Sequence, residues 1–229
     1  MTGRELKRRR RERGVTQEAA ARSLGVSQPY LSLLENGDRP LTQKLKNKSV
    51  RLFRLSPTEL PVKANVHQVV KTSDDQLTAD LSALGYKGFS HWKPSRPKNP
   101  VDVLLSALNA PQRNARLVEA LPWLLLEFPD MEWNSLVLTA KAYDLQNRLG
   151  FVTNLAKRLA ELWGDETTAN KLRKVEAKLE HSKLEREDTL CKDTMTNAER
   201  KWLQVQRPDA AKHWNLLTDF APQHIRYAR

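Results

Sequence analysis

Thr16-Gln17-Glu18-Ala19-Ala20-Ala21-Arg22-Ser23-Leu24-Gly25-Val26-Ser27-Gln28-Pro29-Tyr30-Leu31-Ser32-Leu33-Leu34-Glu35-Asn36-Gly37 contains the cap residues of two successive helices. Thr16 has the side chain to cap a helix start. Ala20 is small where a second helix must cross closely. Gly25 sits where the chain leaves the first helix with positive φ, a conformation glycine adopts without a Cβ clash. Val26 plugs the turn and Ser27 caps the next helix. Leu31 and Leu34, three residues apart, share the face that turns back to a core. Gly37 ends that helix. The pattern predicts a helix, a tight turn and a second helix whose outer face stays polar.

Working outward, Thr2 with Glu5 forms a capping box, and Ser56-Pro57-Thr58-Glu59 repeats the device with proline at the first helical position. The first domain is therefore expected to hold five helices, at about 2–13, 16–24, 27–36, 42–54 and 56–60. Ser73 with Gln76 marks a short amphipathic helix over roughly 73–84, and residues 86–100, rich in Gly, Ser, Lys and Pro, suggest a loop. Asn99-Pro100 is a cap followed by proline. Beyond it, apolar residues recur at helical spacing: Leu104, Leu105 and Leu108; then Leu117, Leu121, Leu124 and Leu125; then Leu136, Ala140 and Tyr143; then Val152, Leu155, Ala156 and Leu159. Such stripes are wide enough for a bundle core. A charged helical segment follows at 167–190, where Leu184 breaks the spacing a coiled coil requires, and one more helix is expected within about 196–220. The fold class is all-α: a five-helix domain over 1–62, a linker with a short helix and a loop over 63–100, and a larger helical domain for oligomerisation or partner binding over 101–229.

The 229 residues carry 39 Lys and Arg against 27 Asp and Glu, a formal charge of +12. Residues 1–63 hold 15 basic and 6 acidic side chains, a net of +9, whereas residues 101–166 hold 6 and 9, a net of −3. The basic excess is thus concentrated in the helix-turn-helix region, where it favours a polyanionic partner. A single cysteine, Cys191, excludes an intrachain disulfide and fits a cytoplasmic location. The start of the chain lacks the apolar segment of a signal peptide, and the longest apolar stretch, Leu121 to Leu126, is far too short to cross a bilayer.

From about residue 2 to 60, including the Glu35-Asn36-Gly37 ending and Ser56-Pro57-Thr58-Glu59-Leu60, the chain resembles the phage-repressor and Cro family of helix-turn-helix domains, also called XRE-like. The resemblance implies a sequence-specific regulator of transcription, most often a repressor, that binds double-stranded DNA as a homodimer with helix 27–36 in the major groove. It places Gln28, Pro29, Tyr30, Ser32 and Leu33 against base edges. Gln28 suits a bidentate pair with adenine, and Tyr30 a thymine methyl or a phosphate. Pro29 departs from the usual polar residue and offers only apolar contact. Gln17 matches the family's phosphate clamp at a helix start. Arg10 and Glu35 match a pair that ties the first helix to the recognition helix. Arg8 and Arg9, within the run Lys7-Arg8-Arg9-Arg10-Arg11, and Arg39 and Lys44 beyond the recognition helix, are further phosphate candidates, as are Lys46 and Lys48.

No catalytic arrangement is visible. The histidines at 67, 91, 181, 213 and 224 are scattered, none pairs with cysteine at metal spacing, and there is no phosphate-cradling glycine loop. No enzyme activity, cofactor or metal is expected. The second half is expected to be an interaction module, with the 86–100 stretch and Trp92 as a docking loop. It would serve either a regulator that dimerises or senses a small effector, or an antitoxin that autoregulates its operon and neutralises a cognate toxin protein.

Overall fold

The computed structural model describes residues 2–53 and 56–225. The chain divides into two units, Met1–Pro61 and Val62–Arg229.

In the first unit, cap chemistry sets the helix boundaries. Thr2 and Glu5 form the reciprocal capping box that starts α1 (Gly3–Glu12). The hydroxyls of Thr16, Ser27 and Thr42 accept from the amides of Ala19, Tyr30 and Leu45 at the starts of α2 (Gln17–Leu24), α3 (Gln28–Asn36) and α4 (Gln43–Leu52). Gly25 at φ 73° and Gly37 at φ 91° close α2 and α3 in the left-handed region. Residue 54 of the expected fourth helix lies outside the described residues. The expected fifth helix is a single 3-10 turn, Pro57–Glu59, in which Ser56 Oγ accepts from the Thr58 amide. Leu6, Ala20, Leu24, Leu31, Leu34 and Phe53 form the core, with Val26 and Tyr30 packed on it. At one point the helices nearly touch: a Cβ on Gly3 would lie 1.7 Å from the Leu34 carbonyl oxygen.

The second unit is built on α10 (Gln146–Leu162), a helix buried on almost every side over its first half. Before it come α5 (Asp74–Leu84), α6 (Pro100–Leu108), α7 (Ala115–Glu119), α8 (Leu121–Glu127) and α9 (Trp133–Ala142). After it come α11 (Glu166–Glu180), α12 (Asn197–Gln206) and α13 (Asp209–His213). Two short strands, β1 (Asp188–Thr189) and β2 (Leu216–Leu217), pair in parallel, so the otherwise helical chain carries one small ladder that periodicity did not announce.

Residues 63–100, expected to be a linker, are packed into this unit. Leu77, Leu81, Tyr86 and Phe89 belong to the same core as Leu104 and Leu149. Tyr86 stacks near Trp123 and Phe89 at centroid distances of 5.1 and 5.2 Å. Buried Asp80 accepts from Lys98 at 2.5 Å and from Ser95 at 2.6 Å, which ties the polar stretch back onto α5. The composition that suggested a free loop was supplying these hydrogen bonds. Trp92 remains 40% exposed.

Two polar side chains on α10 organise the C-terminal segment. Asn147 donates to and accepts from the Leu184 backbone, both at 2.8 Å. Arg148 forms a two-pronged ion pair with Asp188, both contacts 2.8 Å, and donates to the carbonyls of Leu108 and Ala110. Burial disfavours the guanidinium charge, but the hydrogen bonds Arg148 donates to Asp188, with the nearby negative charges, outweigh it and raise the Arg148 pKa. Two residues further, Gly150 admits the fully buried Trp214 ring, which would lie 2.4 Å from a Cβ there.

Candidate nucleic-acid interface

A buried ion pair underlies α3. Arg10 Nε donates to Glu35 Oε1 at 2.6 Å and Nη2 to Glu35 Oε2 at 2.9 Å, while Nη1 donates to the Val15 carbonyl at 2.8 Å. Glu35 is 0% exposed and Arg10 8%. The hydrogen bonds to Glu35 hold the Arg10 pKa above its ordinary value despite burial. The two partners lie on α1 and α3.

The pair does not end there. Gln17 Nε2 donates to Glu35 Oε2 at 3.0 Å, and Gln28 Nε2 donates to Gln17 Oε1 at 2.6 Å. Gln17 and Gln28 are the first residues of α2 and α3. A continuous chain of hydrogen bonds therefore runs from a buried guanidinium, through a buried carboxylate and a half-buried amide, to an exposed amide. It fixes the Gln28 side chain at the start of α3. One Gln28 N–H is used within the chain; the other N–H and Oε1 have no partner among the described residues.

The rest of the α3 outer face is small or apolar. Gln28 and Pro29 are exposed, Ser32 is half-buried, and Leu33 is 41% exposed. Tyr30 is half-buried and packs against the core, so much of its ring is turned away from the face formed by the other four.

The basic side chains sort into two groups. Arg8 is largely exposed with a loose 3.6 Å contact to Glu12. Arg39 and Lys44 are exposed and form no ion pair with a described residue. Arg9, expected among the phosphate contacts, is instead bound to Glu59 in the 3-10 turn and to Glu12 at 3.2 Å. Lys48 donates to the Leu24 carbonyl at 2.9 Å and so caps the C-terminus of α2, and Lys7 donates to Asn36 at 3.0 Å. Sequence reasoning missed the Gln17–Glu35 link and these three structural cations. Only the Thr16 and Ser27 caps, which place a glutamine at the start of each helix, hinted at the first.

Residues 2–62 match the family model of a helix-turn-helix domain. The match ends next to the unit boundary after Pro61. Over 81 residues the chain is 37% identical to the HTH-type transcriptional regulator PrpR of Mycobacterium tuberculosis, an alignment covering 35% of this chain and 15% of that protein. No solved structure matches. Within the helix-turn-helix domain, α2 and α3 are the two helices of the motif, and the Arg10–Glu35–Gln17–Gln28 chain joins them to α1. Among the described residues no helix is long and apolar enough to cross a membrane.

Proposed function

We propose that this protein is a sequence-specific regulator of transcription, acting as a repressor, whose helix-turn-helix domain binds double-stranded DNA as a homodimer with α3 in the major groove. The observation that carries the reading is the hydrogen-bonded chain ending on Gln28. An amide offering one donor and one acceptor matches the N7 acceptor and N6 donor of adenine in the major groove. An amide already oriented by Gln17 loses less rotamer freedom on binding than a free one. Pro29 and Leu33 add apolar surface suited to thymine methyls. Arg8, Arg39 and Lys44, with the amide group of Gln17 at a helix N-terminus, supply contacts to phosphate. The net +9 of residues 1–63 supplies the long-range attraction.

The test is selection of binding sites from a random double-stranded pool by the full chain, followed by titration in rising salt. The expected result is an A·T-containing motif in two inverted half-sites spaced by about one helical turn, ~34–36 Å. Equal affinity for selected and random duplexes would refute sequence-specific reading.

A further inference from the structure

The second unit holds a cavity of about 650 Å³ between α7, the segment around Cys191, α12 and the chain following β2. This is within the roughly 300–1,000 Å³ typical of small-molecule sites. Its apolar wall comes from Val118, Leu203 and Phe220, all buried, and from Trp202, which is 55% exposed. A tryptophan left this open beside a cavity is costly in water and offers a large flat surface to a ligand.

The charges lining the cavity are unequal. Arg113 is already occupied: its guanidinium donates to Asp74 at 2.8 Å and to the carbonyls of Thr72 and Ser106. Lys192 faces Glu199 at 3.4 Å, and Glu199 also closes the capping box of α12. His224 Nδ1 is engaged by the Ala221 amide at 3.2 Å. Two carboxylates remain. Glu119, half-buried, and Asp219, exposed, line the cavity and form no ion pair with any described residue. The cavity therefore combines apolar walls, a largely exposed tryptophan and two carboxylates that form no ion pair with a described residue.

We propose that this cavity is a binding site for an amphipathic organic cation, its apolar body against Val118, Leu203 and Phe220. Its positive centre lies between the Trp202 ring and the carboxylates of Glu119 and Asp219. An indole face is the preferred aromatic partner of a cation, and the flanking carboxylates add Coulomb attraction in a partly desolvated setting. An anion of the same shape would meet both carboxylates unfavourably, so charge decides the class of ligand. The proposal stands apart from the DNA-binding reading, since every residue it uses belongs to the second unit.

The experiment uses the full chain without DNA. Rhodamine 6G is the fluorescent probe, tetraphenylphosphonium the non-fluorescent competitor, and anilinonaphthalene sulfonate the anionic control of comparable apolar area. Saturable binding of rhodamine 6G, displaced by tetraphenylphosphonium, is expected, with the sulfonate at least about tenfold weaker. Glu119→Gln with Asp219→Asn should weaken the cation about tenfold or more and leave the thermal melt unchanged, and Trp202→Ala should do the same. Three results would each overturn the proposal. One is equal affinity for the anionic dye. Another is cation binding that survives the double carboxylate variant. The third is the absence of any probe binding together with self-association that Trp202→Ala abolishes, which would make the cavity a protein contact instead.

Discussion

Replacing Glu35 by leucine should cost the helix-turn-helix domain a large part of its stability, whereas replacing Arg10 and Glu35 together should not. Glu35 is fully buried and accepts three hydrogen bonds, two from Arg10 and one from Gln17. Without the carboxylate, Gln17 can turn to solvent, but the Arg10 guanidinium stays buried with only the Val15 carbonyl as acceptor. Stranding one member of a buried pair costs about 3–5 kcal/mol. A unit of this size, near 60 residues, has a total stability of roughly 3–9 kcal/mol at ordinary values per residue. Glu35→Leu therefore removes at least a third of that total and in a marginal domain nearly all of it. With Arg10→Met added, no charge is stranded. Apolar replacement of a buried pair is commonly neutral, or stabilising by about 1–4 kcal/mol, so the double variant should recover at least ~2 kcal/mol relative to Glu35→Leu. All six tryptophans lie at position 92 or beyond, so tryptophan fluorescence reports the second unit and serves as an internal control. Amide hydrogen exchange of peptides from α1 to α3, measured on the full chain, reports the first. A loss below ~1 kcal/mol for Glu35→Leu, or a double variant no better than the single, would refute the account. The double variant also separates stability from reading. Gln17 no longer has its acceptor, so Gln28 loses its anchor and base preference should fall in a domain that remains folded.

Other outcomes follow from the same geometry. Gly150→Ala should lower the melting temperature of the second unit even though alanine is the better helix former by about 1 kcal/mol, because the Cβ would meet the Trp214 ring at 2.4 Å and overpacking costs ~1–3 kcal/mol or more. A tryptophan-fluorescence melt that is unchanged or raised would contradict this, and Gly3→Ala, whose Cβ would sit 1.7 Å from the Leu34 carbonyl oxygen, should in the same way accelerate exchange across α1 and α3. Gln28→Ala should reduce the preference for selected over random DNA, whereas Arg8→Ala and Arg39→Ala should weaken both equally and lower the salt slope by about 0.9 for each phosphate no longer neutralised. Arg9→Ala should instead remove one contact of Glu59 in the 3-10 turn, with little change in that slope; a drop of about 0.9 would return Arg9 to the phosphate-binding set. Burial raises the Cys191 thiol from an ordinary 9.0 to about 11. The raised value means that its contribution to stability is complete below pH 9 and is lost as pH climbs towards 11, because the unfolded chain gives up the proton first. Urea titrations followed by tryptophan fluorescence should show a loss of roughly 1 kcal/mol at pH 10 that Cys191→Ala does not show, and parallel pH dependence in both proteins would remove the thiol from the explanation.

The helix-turn-helix domain was legible because its boundaries are written in residues that act locally. Thr2, Thr16 and Ser27 each accept an amide three residues on, and Gly25 and Gly37 each take a positive φ, so a short window contains the whole argument. The Arg10–Glu35 pair was reachable through resemblance alone, since 25 residues separate its members. The division of the basic residues was not reachable. Arg8, Arg9, Lys44 and Lys48 look alike in sequence, and what separates Lys48 from Lys44 is that the Leu24 carbonyl lies within reach of one and not the other. A charge count therefore overstates the phosphate-binding set by including cations that hold the domain together.

In the second unit the local signals were as clear and decided less. The caps at Ser73 and Asn99 open α5 and α6 as expected. What those helices pack against depends on partners far along the chain: Asp80 with Lys98, Asp74 with Arg113, Arg148 with Asp188, Gly150 with Trp214. Residues 63–100 show the consequence. Their Gly, Ser, Lys and Pro content is what an exposed linker has, yet Ser95 and Lys98 satisfy a buried carboxylate, and Tyr86 and Phe89 fill the core beside Trp123. A polar stretch satisfying a buried charge and a polar stretch in solvent have the same composition, and only the position of the charge tells them apart. The same reasoning gives the cavity its meaning. Glu119 and Asp219 are ordinary surface carboxylates by sequence; they become informative because Arg113 and Lys192, the Arg and Lys side chains among the cavity's described lining residues, are already bound to Asp74 and Glu199, which leaves two carboxylates beside the exposed Trp202.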